Sequence, residues 1–274
     1  DVYKRQFQGI VSFRDLLTND TNITISEIMD SDIEGIPANT PAQDVANLFE
    51  HRDLVTAPVV DEDNKLLGRI TIDDVVDVIR DKADHSFMGM AGLNEEEDLF
   101  APVIKSTRRR LVWLGVNLIT AILASWVIRQ FDATIDKLVA LAVLMPIVAS
   151  MGGIAGSQTL TLVIRAMAIG QISSATAKRL LIKEMSVGVW NGVIWAVVVA
   201  AVAEVWYQNL SLSIVIGSAI IVNLIVAAAA GATIPLLLRR MNIDPALSGS
   251  VVLTTITDVI GFFVLLGLAA LFLV

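Results

Sequence analysis

Residues 251–274 read VVLTTITDVIGFFVLLGLAALFLV, an apolar run whose single charged residue is Asp258. A helix needs about 20 apolar residues to cross a bilayer, and this run is long enough. Four earlier stretches of similar length carry no charge: 111–128, 138–164, 185–203 and 212–238. Because a helix satisfies its own backbone hydrogen bonds in lipid, the pattern predicts five transmembrane helices. We expect them at about 111–129, 138–164, 185–206, 212–238 and 251–273. Five buried helices of a soluble bundle are the less favoured alternative.

Charge divides the 274-residue chain near residue 100. Residues 1–100 contain 8 Lys/Arg and 22 Asp/Glu, a net charge of −14, whereas residues 101–274 contain 12 and 6, a net charge of +6. The sequence therefore predicts an acidic soluble module followed by a basic, apolar one. The acidic module argues against nucleic-acid binding, which needs a basic face. The chain has no cysteine and two histidines, which excludes a disulfide framework and argues against a zinc enzyme.

Lysine and arginine residues beside the predicted helices indicate their orientation. Ten fall on one side of the membrane, and only Arg129 and Lys137 fall on the other. Since cytoplasmic loops carry the excess of Lys and Arg, we expect the acidic module in the cytoplasm and the C-terminus on the outer side of the membrane. We expect this membrane to be the cell (inner) membrane. The ten are Lys105, Arg108, Arg109, Arg110, Arg165, Lys178, Arg179, Lys183, Arg239 and Arg240.

The acidic module contains a repeat, because GIVSFRDLL at 9–17 aligns with GRITIDDVV at 68–76. Each copy reads as a short strand, a Ser/Thr helix cap and an acidic first helical turn. Between them the pattern predicts a helix from Pro41 to about Arg52 and strands at 54–60 and 66–72.

This order of strand, helix, strand, strand and helix resembles a CBS domain, a module that occurs in tandem pairs and often senses adenosine nucleotides or ions. Residues 20–80 match one nearly complete copy and residues 7–18 the tail of a preceding copy, so we expect the chain to begin inside a domain. Residues 1–6 do not fit the repeat, and we interpret them as a non-native segment. The predicted fold is therefore an α+β CBS module at 7–80, a connecting helix region at 81–110 and an all-α transmembrane domain of five helices at 111–274.

Asp258 is the strongest candidate for chemistry. A carboxylate in the middle of a transmembrane helix costs about 2.5–3.5 kcal/mol on insertion scales, so it should face a cavity, a partner or an ion. Thr254 and Thr255 lie one turn before it and Gly261 one turn after it, forming a narrow polar stripe. Since no Lys or Arg lies at a matching depth in the other four helices, an ion pathway is favoured. The alternative is a protonated Asp258 hydrogen-bonded between helices.

The second predicted helix carries Pro146 and then MGGIAGSQ at 151–158. Gly152 and Gly156 permit another helix to approach closely. Pro146 frees a backbone carbonyl, which a membrane tolerates only where protein or water satisfies it. On its own such a pattern indicates helix packing more often than a pore. It supports a pore here because the same chain also carries Asp258 in a predicted membrane helix.

Three further motifs complete the pattern: Lys183-Glu184-Met185, Asp244-Pro245-Ala246-Leu247, and TTITDVIGFF at 254–263. Together these residues resemble the MgtE family of magnesium channels over about residues 7–274. The resemblance implies a homodimer in the lipid bilayer, whose second and fifth helices line the pore and in which Asp258 holds hydrated Mg²⁺. The pore-lining candidates are Thr254, Thr255, Gly261, Pro146, Gly152, Gly153, Gly156 and Gln158. Ile154 and Ser157 stand where the family often has Asn, and we expect this to alter how water around the ion is held.

The resemblance also implies that Mg²⁺ bridges carboxylates near the connecting helix and closes the pore when internal Mg²⁺ is high. The candidates for this regulatory Mg²⁺ are Asp77, Asp81, Asp84, Glu95, Glu96, Glu97 and Asp98. The alternative for each is a solvated acidic face. Asp244 resembles a family residue near the inner pore mouth, and a helix cap is the competing interpretation.

A second ligand is suggested by Thr71 and Asp74, which match the Ser/Thr-x-x-Asp pattern with which some CBS domains hold an adenosine ribose. Helix capping alone also explains Thr71.

The sequence as a whole predicts a passive Mg²⁺ channel rather than an enzyme. It has no P-loop, and two isolated histidines cannot form the HExxH site of a membrane protease. The alternatives are a transporter for another divalent cation such as Co²⁺, or a CBS-linked membrane scaffold without a pore.

Overall fold

The computed structural model describes residues 5–93, 100–169, 171–172 and 174–274, without the side chains of Ser174 and Ala175. Its backbone contacts divide the chain into two compact units, residues 1–84 and 85–274. Each unit is described by itself.

The first unit is a small α+β module around a three-stranded sheet of order β1-β2-β3. β1 is parallel to β2, and β2 is antiparallel to β3. The predicted order of strand, helix, strand, strand and helix is confirmed. The elements are α1 (Phe13–Thr18), α2 (Ile25–Ile28), β1 (Ile36–Pro37), α3 (Ala42–Arg52), β2 (Thr56–Val60), β3 (Leu66–Thr71) and α4 (Ile72–Met90), whose last turns belong to the second unit.

The core of the module lies between α3 and the sheet. Val45, Ala46 and Phe49 of α3 are buried there against Ala57 of β2 and other apolar side chains. The helix presents these residues on one face because they are three and four positions apart.

Arg5 and Gln6 run beside the start of β3. The Leu66 amide donates to the Arg5 carbonyl at 2.7 Å, and the Phe7 amide donates to the Asn64 carbonyl at 2.9 Å. Backbone pairing of this kind does not depend on a side-chain pattern, so the sequence repeat could not predict that these residues pair with β3. The non-native origin that we expect for residues 1–6 stays a prediction.

Among the residues that the structure describes in the second unit, five helices are long and apolar enough to cross a membrane. The short helix α6 lies between the first two of them. The elements are α5 (Val103–Arg129), α6 (Asp132–Lys137), α7 (Ala140–Ala168), α8 (Ser174–Tyr207), α9 (Leu210–Arg240) and α10 (Pro245–Phe272).

Several of these helices begin earlier than the uncharged stretches predicted. α5 begins at Val103 rather than 111, and α8 at Ser174 rather than 185. The charged residues at their starts are good helix formers, so the backbone ladder continues beyond the apolar segment. α10 begins at Pro245 instead of 251, because the Asp244 side chain caps it there.

α9 is the central helix of the bundle and packs against α7, α8 and α10. Its buried face is rich in small residues, including Ala227, Ala228 and Gly231. Helices in lipid gain no hydrophobic energy from association, so close van der Waals packing of small residues has to hold them together. α5 lies at the periphery, packs mainly on α10, and buries only Ala124 and Val127.

Candidate cation site

Asp258 lies on the wall of an open groove of about 930 Å³ between α7 and α10. It occupies the middle of α10, which spans 28 residues and therefore about 42 Å. The groove thus reaches the depth at which a membrane would be most apolar. The residues that line it are Ala149, Ser150, Gly153, Ile154, Ser157, Gln158, Thr161 and Leu162 of α7 and Thr254 and Asp258 of α10.

The Asp258 carboxylate is partly buried, and no described residue donates a hydrogen bond to it or forms an ion pair with it. The nearby hydroxyls are used within α10 itself. Thr254 Oγ1 donates to the Ser250 carbonyl at 3.0 Å, and Thr255 Oγ1 donates to the Val251 carbonyl at 2.7 Å. Since an unpaired charge at this depth is expensive, the carboxylate needs a cation, water or a proton from the groove.

Four of the predicted site residues come together here: Asp258, Thr254, Gly153 and Gln158. Ser150 and Thr161 also line the groove, although they were not among the predicted site residues. Their signal is the helical spacing of small polar residues at 150, 157 and 161, which places them on the same face of α7 as Gly153.

Three of the glycines that were predicted to line the pore do not line this groove. Gly152, Gly156 and Gly261 are buried inside the bundle. A Cβ atom on Gly156 would stand 2.8 Å from Leu253 Cδ1, and one on Gly261 would stand 2.9 Å from Asn223 Nδ2. The reason is helical geometry, because positions 152 and 156 face away from the stripe at 150, 153 and 157. Pro146 and Thr255 are also outside the lining.

Asp244 caps α10 through its Oδ1 atom, which accepts from the Ala246 amide at 2.9 Å. Its other oxygen, Oδ2, lies 3.4 Å from Nε2 of His85 on α4. The capping interpretation is therefore observed. The second oxygen contacts the connecting helix at the end of α10 where the pore mouth is expected.

The last turn of α4 reaches the same region. A Cβ atom on Gly89 would stand 3.3 Å from Ala246 Cβ of α10. Thr161 Oγ1 of α7, which lines the groove, lies 3.7 Å from the Met90 sulfur. The end of the connecting helix thus contacts both helices that form the groove.

The regulatory candidates that the structure describes, Asp77, Asp81 and Asp84, are not assembled into a metal site. Asp77, Asp81 and Asp84 are exposed along one face of α4, and Asp84 lies 3.9 Å from Arg80 Nε. Over the described ranges, no group of three or more His, Asp or Glu side chains is arranged to hold a metal ion. Glu95, Glu96, Glu97 and Asp98 lie outside the described residues.

Thr71 and Asp74 are joined at the start of α4. The Thr71 amide and hydroxyl both donate to Asp74 Oδ2 at 3.0 Å. Capping accounts for this arrangement, and the Asp74 carboxylate remains exposed.

The family model described as MgtE, divalent cation transporter, matches residues 145–268, and the CBS domain model matches residues 25–81. The magnesium transporter MgtE of Enterococcus faecalis is 31% identical over 265 residues, which cover 97% of this chain and 58% of that protein. The magnesium transporter MgtE of Bacillus subtilis is 29% identical over 269 residues, or 98% of this chain and 60% of that protein. The chain thus spans about 60% of the length of these curated relatives.

One solved structure that the chain matches is the cytosolic domain of the Mg²⁺ channel MgtE in complex with ATP. The match covers 28% of this chain and 31% of the chain in that structure, with 37% sequence identity and a TM-score of 0.27. The sequence matches extend over both units of the fold. The chain is therefore similar to CBS domains over residues 25–81 and to the divalent cation transporters of the MgtE family model over residues 145–268.

Proposed function

We propose that this chain is the CBS and transmembrane part of a passive Mg²⁺ channel, with Asp258 at the ion site. The observation that carries the proposal is the Asp258 carboxylate in the middle of α10, which lies on a groove formed with α7 and has no partner among the described residues. The membrane domain of the MgtE family supports the choice of a divalent cation. In this proposal the protein lies in the cell membrane with its CBS module in the cytoplasm and its C-terminus outside.

The chemistry of the groove suits a hydrated ion. Mg²⁺ prefers octahedral oxygen coordination at about 2.0–2.1 Å and gives up its water reluctantly. Six waters occupy about 180 Å³ at their share of liquid volume, which fits within the groove of about 930 Å³. One carboxylate with neighbouring hydroxyls and carbonyls can therefore hold the ion through its water.

A homodimer would complete the pore. The groove is open, so a second copy of the chain packed against it would add a further wall and a second Asp258. Two carboxylates would balance one dication. An inside-negative potential drives entry, since a dication gains about 4.6 kcal/mol per 100 mV.

Uptake into proteoliposomes tests this function directly. With an inside-negative potential, we expect the reconstituted chain to raise Mg²⁺ influx at least ten-fold above protein-free vesicles, because the field acts on both charges of the ion. A fluorescent Mg²⁺ indicator in the lumen measures the rate. Influx equal to that of protein-free vesicles would support the alternative of a scaffold without a pore.

The same vesicles separate Mg²⁺ from other divalent cations. Ile154 and Ser157 line the groove at the positions where the family often has Asn, so this chain has lost amides that can hold water. Faster entry of Co²⁺ than of Mg²⁺ at equal concentration would favour the alternative of a Co²⁺ transporter.

Regulation by internal Mg²⁺ is the second part of the proposal. α4 carries Asp77, Asp81 and Asp84, and its last turn contacts α10 and Thr161. Mg²⁺ that bridges these carboxylates to acidic residues such as Glu95, Glu96 and Glu97 would hold α4 against the groove and close it. An adenosine nucleotide at Thr71 and Asp74 would bind at the opposite end of the same helix.

Neutralising the α4 carboxylates should weaken this inhibition. We expect the combined substitutions Asp77→Asn, Asp81→Asn and Asp84→Asn to raise the internal Mg²⁺ concentration for half-inhibition by several-fold, because the bridging ligands are lost. Influx measured against internal Mg²⁺ reports the shift. The matched control removes three exposed carboxylates outside α4 by Asp32→Asn, Glu34→Gln and Glu50→Gln, and should leave the threshold unchanged. An equal shift in both variants would indicate a general charge effect.

A further inference from the structure

Asn223 is a fully buried polar residue that contacts both helices of the groove. It lies in the middle of α9 and is completely inaccessible to solvent. Its Nδ2 atom donates to the Val148 carbonyl of α7 at 2.8 Å. Its Oδ1 atom is buried without a hydrogen-bond partner among the described residues. A polar side chain kept in such a place, with one of its atoms unsatisfied, calls for an explanation beyond packing.

The side chain occupies a space that two glycines provide. Gly152 of α7 contacts its amide so closely that a Cβ atom there would overlap Nδ2. On the other side, a Cβ atom on Gly261 of α10 would stand 2.9 Å from the same nitrogen. The amide of α9 is therefore held between the two helices that form the groove.

Both contacts lie next to the ion site. Gly152 precedes Gly153, which lines the groove, and Gly261 follows Asp258 by one turn of α10. A shift of either helix at Asn223 would change the position of Gly153 relative to Asp258, because neighbouring residues of one helix move together.

We propose that Asn223 is a positioning residue, which holds α7 and α10 at the separation and register that the ion site needs. It acts on the groove through the Val148 carbonyl and the two glycines and does not touch the ion. This inference rests on the proposed Mg²⁺ channel function.

The hydrogen bonding of the Val148 carbonyl allows a substitution at Asn223 to affect ion influx without lowering the stability of the protein. Val148 lies inside the continuous helix α7, in which a carbonyl accepts from the amide four residues later. A carbonyl has a second lone pair, which is the one that Asn223 can use. Removing the Asn223 amide thus leaves the carbonyl satisfied, and removing Oδ1 abolishes an unsatisfied buried atom.

The test is Asn223→Leu, a substitution of similar shape without polar atoms. We expect the maximal Mg²⁺ influx in proteoliposomes to fall at least ten-fold, while the Mg²⁺ concentration for half-maximal influx stays within two-fold. The melting temperature of the purified protein in detergent should be equal to or higher than that of the unsubstituted chain. A purely structural role predicts instead that melting temperature and influx fall together.

Asn117→Leu is the matched control. Among the described residues, the Asn117 side chain of α5 donates to the Trp113 carbonyl of its own helix at 3.0 Å and to no other helix, so its loss should leave influx unchanged. Full influx by Asn223→Leu, or a lower melting temperature with reduced influx, would overturn the inference. No influx by the unsubstituted chain would overturn the proposed channel function itself, and the two failures are therefore distinguishable.

Discussion

Replacing Asp258 by asparagine is expected to lower Mg²⁺ influx by about 100-fold. Two unit charges 4 Å apart attract by about 4 kcal/mol at an effective dielectric constant near 20, and a dication doubles this value. The full attraction is therefore about 8 kcal/mol, and water between the ion and the carboxylate is taken to reduce it to a third, about 2.7 kcal/mol. The Asp258→Asn substitution removes this remaining attraction. Since about 1.4 kcal/mol corresponds to a factor of ten, the loss corresponds to about 100-fold.

The measurement is the initial rate of Mg²⁺ entry into proteoliposomes at matched protein content. Asp136→Asn is the control, since Asp136 is an exposed carboxylate of α6 that lies outside the groove. It should transport like the unsubstituted chain. If Asp258→Asn also keeps its full rate, the ion site has been assigned to the wrong residue. Asp258→Asn removes the charge while keeping the size, so a change in packing does not explain the result.

Gly231→Ala is expected to destabilise the membrane domain by about 1–3 kcal/mol, the usual range for overpacking. A Cβ atom on Gly231 of α9 would stand 2.7 Å from the Gly156 carbonyl oxygen and 2.9 Å from Thr159 Cβ of α7. The first of these is backbone, which cannot rotate away as a side chain can. α9 and α7 would have to separate where small residues allow them to pack closely.

Unfolding in mixed micelles with increasing denaturing detergent measures this effect. Gly267→Ala serves as the control, because a Cβ atom at Gly267 of α10 meets nothing within 4 Å. Alanine favours a helix over glycine by about 1 kcal/mol, so the control should keep or gain stability. Equal stability of Gly231→Ala and the unsubstituted chain would show that this helix contact is looser than the structure has it.

The membrane helices and the CBS module are predicted well because their signals are local. A run without charge identifies a membrane span, and an alternation of strand and cap residues identifies the CBS unit. Helix ends are predicted less well. α8 begins at Ser174 although the uncharged stretch begins at 185, since helical hydrogen bonding does not end where the charges start.

Some residues of the candidate site could likewise be predicted from local sequence, and others could not. Asp258 stands out because a charge in an apolar run is visible without any knowledge of its neighbours. Gly152 and Gly156 were predicted both to permit close helix packing and to line the pore, because small residues favour either role. The structure places them, and Gly261, in packing contacts inside the bundle. Asn223 was also missed, since a single uncharged amide in an apolar helix has no spacing signal.

From the order of residues alone, one can read the number of membrane helices, the CBS unit and the charge that belongs at their centre. These follow from the transfer of each segment between water and lipid, which depends on composition. Which residues face the groove and which pack inside the bundle depends on how three helices are rotated against one another. That rotation arises from contacts between α7, α9 and α10. These contacts join residues far apart in the chain, such as Val148 and Asn223 at a separation of 75 positions, and no local pattern encodes them.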